Sequence, residues 1–249
     1  MPGRTIALHS SATEPMDWPD AAAAASASDG VTLFIASLEE LRPMIDQHEG
    51  VLDASERDRA ARFRFDADRE RFILGHGWLR DVLGKVLGTP AADLRIVRGP
   101  FGKPHLEGHD LRFNFSDTKD AVLLGFGQGI DIGIDVETMH RRVDHEAVAS
   151  HYFTPAETQH LSELTSDARK RRFLELWTRK EAVLKASGVG IMDDLKELRV
   201  LDGANTMVVS HPEFIRMSPP QYHVRTWRIG HAHLVSMASS AEVDVHWGR

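Results

Sequence analysis

Residues 167–186, DARKRRFLELWTRKEAVLKA, carry a helical pattern stopped by Gly188 and Gly190. Upstream, residues 66–86, DADRERFILGHGWLRDVLGKV, carry a second, stopped by Gly88 and Pro90. Set 101 residues apart, Leu52, Glu56, Asp66, Arg71, Phe72, Val82 and Leu83 match Phe153, Glu157, Asp167, Arg172, Phe173, Val183 and Leu184. A short helix followed by a long one thus recurs; several matches are chemically commonplace, so coincidence competes with an internal repeat, and two similar halves would place a cleft between them.

Outward from these helices, Val31 to Leu38 reads as a buried strand, and Ser55 as the N-cap of the first short helix. Ala121–Phe126 and Ile130–Glu137 are β-like runs separated by Gly127, Gln128 and Gly129, a pattern that predicts a hairpin. Ser10 to Gly30 is rich in Ala, Ser, Asp and Pro, with an alanine run at 21–25 that lacks amphipathic periodicity. The expected organisation is a poorly ordered leader (1–30), an N-terminal half (31–127), a C-terminal half with the acidic cluster (128–238) and a tail (239–249).

The chain has 249 residues, 42% of them apolar, enough to bury a core. Thirty basic against 37 acidic residues leave a formal charge of −7, which argues against a general nucleic-acid binder. Absence of cysteine excludes disulfides, thiolate metal sites and a cysteine nucleophile. No secretory pattern opens the chain and no apolar run is long enough to span a membrane, so the expectation is a cytoplasmic protein.

Strand alternation in Ile132-Gly133-Ile134-Asp135-Val136-Glu137 puts Asp135 and Glu137 on one face. Two close carboxylates raise each other's pKa unless a cation intervenes, and hard oxygens suit Mg²⁺. Taken alone, the pair equally describes an exposed strand end. Helical spacing aligns Trp177, Glu181 and Lys185, which makes Glu181 a candidate third acid, while Lys180 and Lys185 are candidate phosphate partners. Gly102-Lys103-Pro104 and Phe113-Asn114-Phe115-Ser116-Asp117-Thr118 add turns with phosphate-binding groups, and Arg59 and Arg62 belong to an arginine-rich segment.

Taken in order, Gly-Lys-Pro (102–104), Phe-Asn-Phe-Ser (113–116), Gly-Ile-Asp-Val-Glu (133–137) and Trp-Thr-Arg-Lys-Glu-Ala-Val-Leu-Lys (177–185) resemble the 4′-phosphopantetheinyl transferases, in their long single-chain, surfactin-synthetase-activating type. The resemblance runs from about Leu52 to Gly190. It implies two α+β halves related by a pseudo-twofold axis, coenzyme A in the cleft, and Mg²⁺ held by Asp135, Glu137 and Glu181. It further implies Lys180 and Lys185 on the coenzyme A phosphates, Lys103, Arg59 and Arg62 near the 3′-phosphate, and Pro104, Ser116, Asp117 and Thr118 along the cofactor.

By that resemblance a monomeric enzyme moves phosphopantetheine to a serine of an apo carrier protein or of a carrier domain in a polyketide, nonribosomal peptide or fatty acid synthase. The work would belong to secondary metabolite biosynthesis, and 3′,5′-ADP would leave. Glu181 and Glu157 are the two candidate bases, between which sequence does not choose. Many relatives carry histidine where this chain has Asp117, which predicts weaker coenzyme A binding. Two other readings use the same residues: a magnesium-dependent phosphohydrolase, and a coenzyme A or carrier binder with little turnover.

Overall fold

The computed structural model describes residues 3–19, 30–189 and 195–248. The alanine run at 21–25 and Gly190 lie outside the described residues. Strands are β1 (Arg4–Ser10), β2 (Glu14–Met16), β3 (Val31–Ser37), β4 (Ile96–Arg98), β5 (Pro104–Leu106), β6 (Leu111–Asp117), β7 (Ala121–Gln128), β8 (Ile132–Thr138), β9 (Gly203–Val209), β10 (Gln221–Ile229), β11 (His233–Ser239) and β12 (Val245–Gly248). Helices are α1 (Leu38–Leu41), α2 (Ile45–Gly50), α3 (Ala54–Ala61), α4 (Asp66–Leu87), α5 (His145–Tyr152), α6 (Pro155–Ser162), α7 (Ser166–Ser187) and α8 (Pro212–Met217).

The protein is α+β, and its two halves repeat one plan. In the first, β3 pairs antiparallel with β7 and β7 with β6; in the second, β8 pairs with β11 and β11 with β10 in the same manner. Between the first and second strands of each plan run a short helix and a 22-residue helix, α3 with α4 and α6 with α7. Both long helices end on a left-handed glycine, Gly88 (φ 63°) and Gly188 (φ 76°), a conformation an L side chain rarely tolerates.

Strand alternation sorts the apolar side chains into layers. Phe34 and Ala36 face α4 together with Phe126, whereas Val31, Leu33 and Ile35 face the second sheet, meeting Ile134, Val136, Trp227 and Met237. The second sheet's other face packs α7 against Leu8, Tyr222, Val224 and Leu234. The layers therefore run helix, sheet, sheet, helix, with one core between the sheets and one under each long helix.

A shared device holds the helices of each half. Asp53 and Glu56 form a capping box on α3, and Thr154 and Glu157 form one on α6. The carboxylate oxygen that closes each box also takes a buried cation from the long helix. Glu56 Oε2 accepts from Arg80 Nε at 2.6 Å, and Glu157 Oε2 meets Lys180 Nζ at 2.9 Å. Each cation then donates to two backbone carbonyls beyond its helix: Arg80 to Ala91 and Leu94, Lys180 to Leu195 and Leu198. Arg80 and Lys180 are fully buried.

Two expectations are corrected. The leader is not uniformly unstructured: β1 lies inside the six-stranded sheet, between β10 and β9. Within the expected tail, β12 pairs parallel with β3 on the edge of the first sheet. The expected hairpin does not form; β7 and β8 belong to different sheets, and Gly129 (φ 64°) turns the chain across from one to the other. At a smaller scale, the cap of α3 is Asp53 rather than Ser55.

Replacing Lys180 by Met strands the Glu157 carboxylate, which is also fully buried, and is expected to lower the unfolding free energy by about 3–5 kcal/mol. Arg216→Met, which breaks an exposed pair with Glu213, should cost less than about 1 kcal/mol; urea denaturation measures both.

Candidate active site

Every position of β8 is buried, and Gly133, Asp135 and Glu137 share the face that meets α7. A Cβ on Gly133 would sit 2.0 Å from the Ala182 carbonyl oxygen and 2.1 Å from the Ala186 nitrogen. Glycine alone lets the helix settle this closely onto the strand. That approach brings Lys185 Nζ to 2.6 Å from Asp135 Oδ1.

The facing edge strand β6 completes the arrangement. Asn114 Oδ1 accepts from the Ile134 N–H at 2.8 Å, as a neighbouring strand's carbonyl would. Ser116 Oγ donates to Asp135 Oδ1 at 2.9 Å and accepts from Lys185 Nζ at 2.9 Å and from the Val136 N–H at 3.4 Å. Farther along the seam, Asp120 receives Thr138 Oγ1 at 3.3 Å and meets His233 Nε2 at 3.0 Å. Side chains of the first half thus take the hydrogen bonds that a sheet edge leaves open.

Asp135 Oδ2 is buried and without a hydrogen-bond partner. Burial first, then the neighbouring Asp135, pushes Glu181 up to about 7 against the opposing pull of Lys185 and Arg141. Glu137 is paired with Arg141, whose guanidinium carbon stands 5.7 Å over the Trp177 ring. Among the described residues no three carboxylates or imidazoles stand grouped as a metal cluster. The oxygen donors nevertheless suit a hard cation, and the orphaned Asp135 oxygen is the observation that favours one.

Two cavities flank the seam. A cleft of about 550 Å³ between the halves is lined by Phe101, Lys103 and Arg112 from the first and by Gly188, Met217 and Tyr222 from the second. Pro104 borders both this cleft and a cavity of about 400 Å³ in the first half, where Arg59, Arg62, Arg98 and His76 are gathered. Arg59 and Arg62 are exposed, with the Arg59 guanidinium 5.0 Å over Phe72. Thr118, half-buried, bonds its N–H to the Ala121 carbonyl at 2.9 Å.

Several expected site residues are not free to act as expected. Lys180 points away from the seam into the Glu157 pair, and burial pulls its ammonium below the ordinary lysine value. Glu157 accepts from Thr154, Lys180 and, at 2.9 Å, the Val200 N–H, so it is a structural acid rather than a base. Lys103 donates to the Ile132 and Ala186 carbonyls at 3.1 and 3.2 Å, and burial lowers its pKa. It clamps the two halves instead of presenting an open charge. Asp117 turns to Arg71 Nε at 3.0 Å.

Arg141, Asn114 and Arg71 are the participants that sequence reasoning did not assign. Asn114 stands inside a motif that was noticed, whereas Arg141 follows Glu137 by four residues outside any helix, where spacing carries no signal.

A family model described as the 4′-phosphopantetheinyl transferase superfamily matches residues 131–234, and one described as 4′-phosphopantetheinyl transferase, N-terminal, matches 41–126. The 4′-phosphopantetheinyl transferase HetI of Nostoc sp. is 33% identical over 177 residues, covering 70% of this chain and 74% of its own. A putative 4′-phosphopantetheinyl transferase of Synechocystis sp. is 32% identical over 160 residues, 63% of this chain and 65% of its own. The 4′-phosphopantetheinyl transferase Sfp of Bacillus subtilis is 28% identical over 141 residues, 56% of this chain and 62% of its own.

Two repeated α+β halves closing on an acidic seam define a two-lobed protein whose candidate site draws side chains from both lobes. The chain belongs to the 4′-phosphopantetheinyl transferase family. Its matched segments span about two thirds of these relatives' lengths.

Folded, Glu181 keeps its proton up to about pH 7; unfolded, it releases it near the ordinary 4.5. Between these values the folded state binds more protons, so the contribution is full below the lower value and declines as pH rises toward the upper. Urea denaturation of metal-free protein from about pH 5 to about pH 7 should show this decline, and Glu181→Gln should remove it.

Proposed function

We propose that the protein transfers the 4′-phosphopantetheine arm of coenzyme A to a serine hydroxyl of an apo carrier protein. The observation that carries this reading is the convergence of Asp135, Glu181, Lys185 and Ser116 where the two halves meet, in a chain of this family. The carrier serine oxygen attacks the phosphorus bonded to pantetheine, the pyrophosphate P–O bond breaks, and 3′,5′-ADP departs with the bonding pair.

Glu181, at the seam beside Asp135 and Lys185, takes the serine proton. Lys185 offers its ammonium to the phosphate oxygens beside it. Arg59 and Arg62 stand in the first-half cavity as partners for the more distant 3′-phosphate. Asp135, Glu137 and Glu181 would hold Mg²⁺, which when bound offsets charge gathering on the pyrophosphate. The substrates we propose are carrier proteins or domains of polyketide, nonribosomal peptide or fatty acid synthases in secondary metabolite biosynthesis. The setting is a cytoplasmic monomer, since one chain contributes both walls of the cleft.

Incubated with apo carrier, coenzyme A and Mg²⁺, the protein should raise the carrier's intact mass by one phosphopantetheine. Glu181→Ala should slow this by at least about 10²-fold. Unchanged carrier across several unrelated domains would refute the assignment. Asp117→His removes one of the two carboxylates paired with Arg71, Asp68 being the other, and adds a donor for phosphate, so it should tighten coenzyme A binding several-fold, as read by calorimetry.

A further inference from the structure

Three carboxylates and two resident cations share the seam. Lys185 holds Asp135, and Arg141 holds Glu137 while lying over Trp177. Asp135 is 6% exposed and keeps one oxygen unpartnered, so the acids are not fully compensated. The two cations differ in their freedom. Lys185 emerges from α7 and is fixed by both Ser116 and Asp135. Arg141 sits in the segment between β8 and α5, its side chain 37% exposed.

On the outer side Arg141 stands among Arg142, His145 and Lys170 with Asp144 as the one acid of that group, whereas on the inner side it pairs with Glu137 and acts on Glu181. We propose that Arg141 is the resident counter-ion of this carboxylate site, seated on Glu137 in the metal-free protein and released from it when a divalent cation binds. This rests on the metal reading of Asp135, Glu137 and Glu181 given above. A hard dication outcompetes a guanidinium for carboxylate oxygens, and Arg141 thereby sets the concentration at which the ion enters. It also keeps Glu137 aimed at the seam while no ion is present.

The partial exposure of the pair fixes the size of the effect. With its Arg141 end 37% exposed and its Glu137 end 10%, the pair falls in the surface range of up to about 1 kcal/mol, a factor of about 5 in binding. Calorimetric titration of Mg²⁺ into the full chain, with and without coenzyme A, compares wild type with Arg141→Gln, Arg141→Lys and Asp135→Asn. Circular dichroism verifies that each variant is folded. The expected result is about two- to fivefold tighter Mg²⁺ binding for Arg141→Gln, near wild-type binding for Arg141→Lys, and weakened binding for Asp135→Asn. Mg²⁺ should also change Trp177 emission in wild type, taken as the difference from Trp177→Phe, and leave it unaltered in Arg141→Gln.

Equal or weaker binding by Arg141→Gln, with Asp135→Asn still impaired, would overturn the counter-ion role and leave the metal assignment standing. No Mg²⁺ binding by wild type, or binding indifferent to Asp135→Asn, would overturn both.

Discussion

A buried cation bound to the glutamate of a helix cap is the interaction on which each half depends. Neither Arg80 nor Lys180 reaches solvent, so the carboxylate beneath must stay in place, and closing a capping box helps to fix it. One contact ties the start of a short helix to the middle of a long one and to the chain that follows it. The sheets pack against helices whose positions these contacts set, and the long helix of the second half carries Glu181 and Lys185 to the seam.

The seam has a different logic. Two sheet edges approach without forming a ladder; Asn114 and Ser116 supply the missing backbone partners from side chains, and Asp120 adds a bond to the Thr138 hydroxyl. Side chains in such a role cannot also be apolar, so the join between the halves is polar by construction. Ser116, which takes one of these backbone N–H groups, also bonds Asp135 and Lys185, so the closing of the seam and the charged cluster share a side chain.

Much of this was legible in the sequence where a local rule applied. Strand alternation placed Asp135 and Glu137 together, helical spacing aligned Glu181 with Lys185, and the echo between Glu56 and Glu157 marked the repeated caps. Local rules failed where the deciding partner was remote. A lysine next to Glu181 looks like a phosphate ligand until Leu195 and Leu198 are seen to enclose it. Gly127 and Gly129 at the end of β7 suit a hairpin or a crossing equally, and only sheet membership decides. β1 alternates buried and exposed residues, yet its partners β9 and β10 lie some two hundred positions later, beyond any window.

The exchange of outer strands between the sheets bears on how the molecule is made. β1 lies inside the second sheet although β9 and β10 come some two hundred positions later, and β12 completes the edge of the first sheet about as far behind β3. During translation β1 emerges long before the strands it joins, and β3 long before β12. Neither half closes as its own stretch of chain is made, so the nascent chain carries unpaired strand edges through most of the intervening synthesis, a period when chaperone contact matters most.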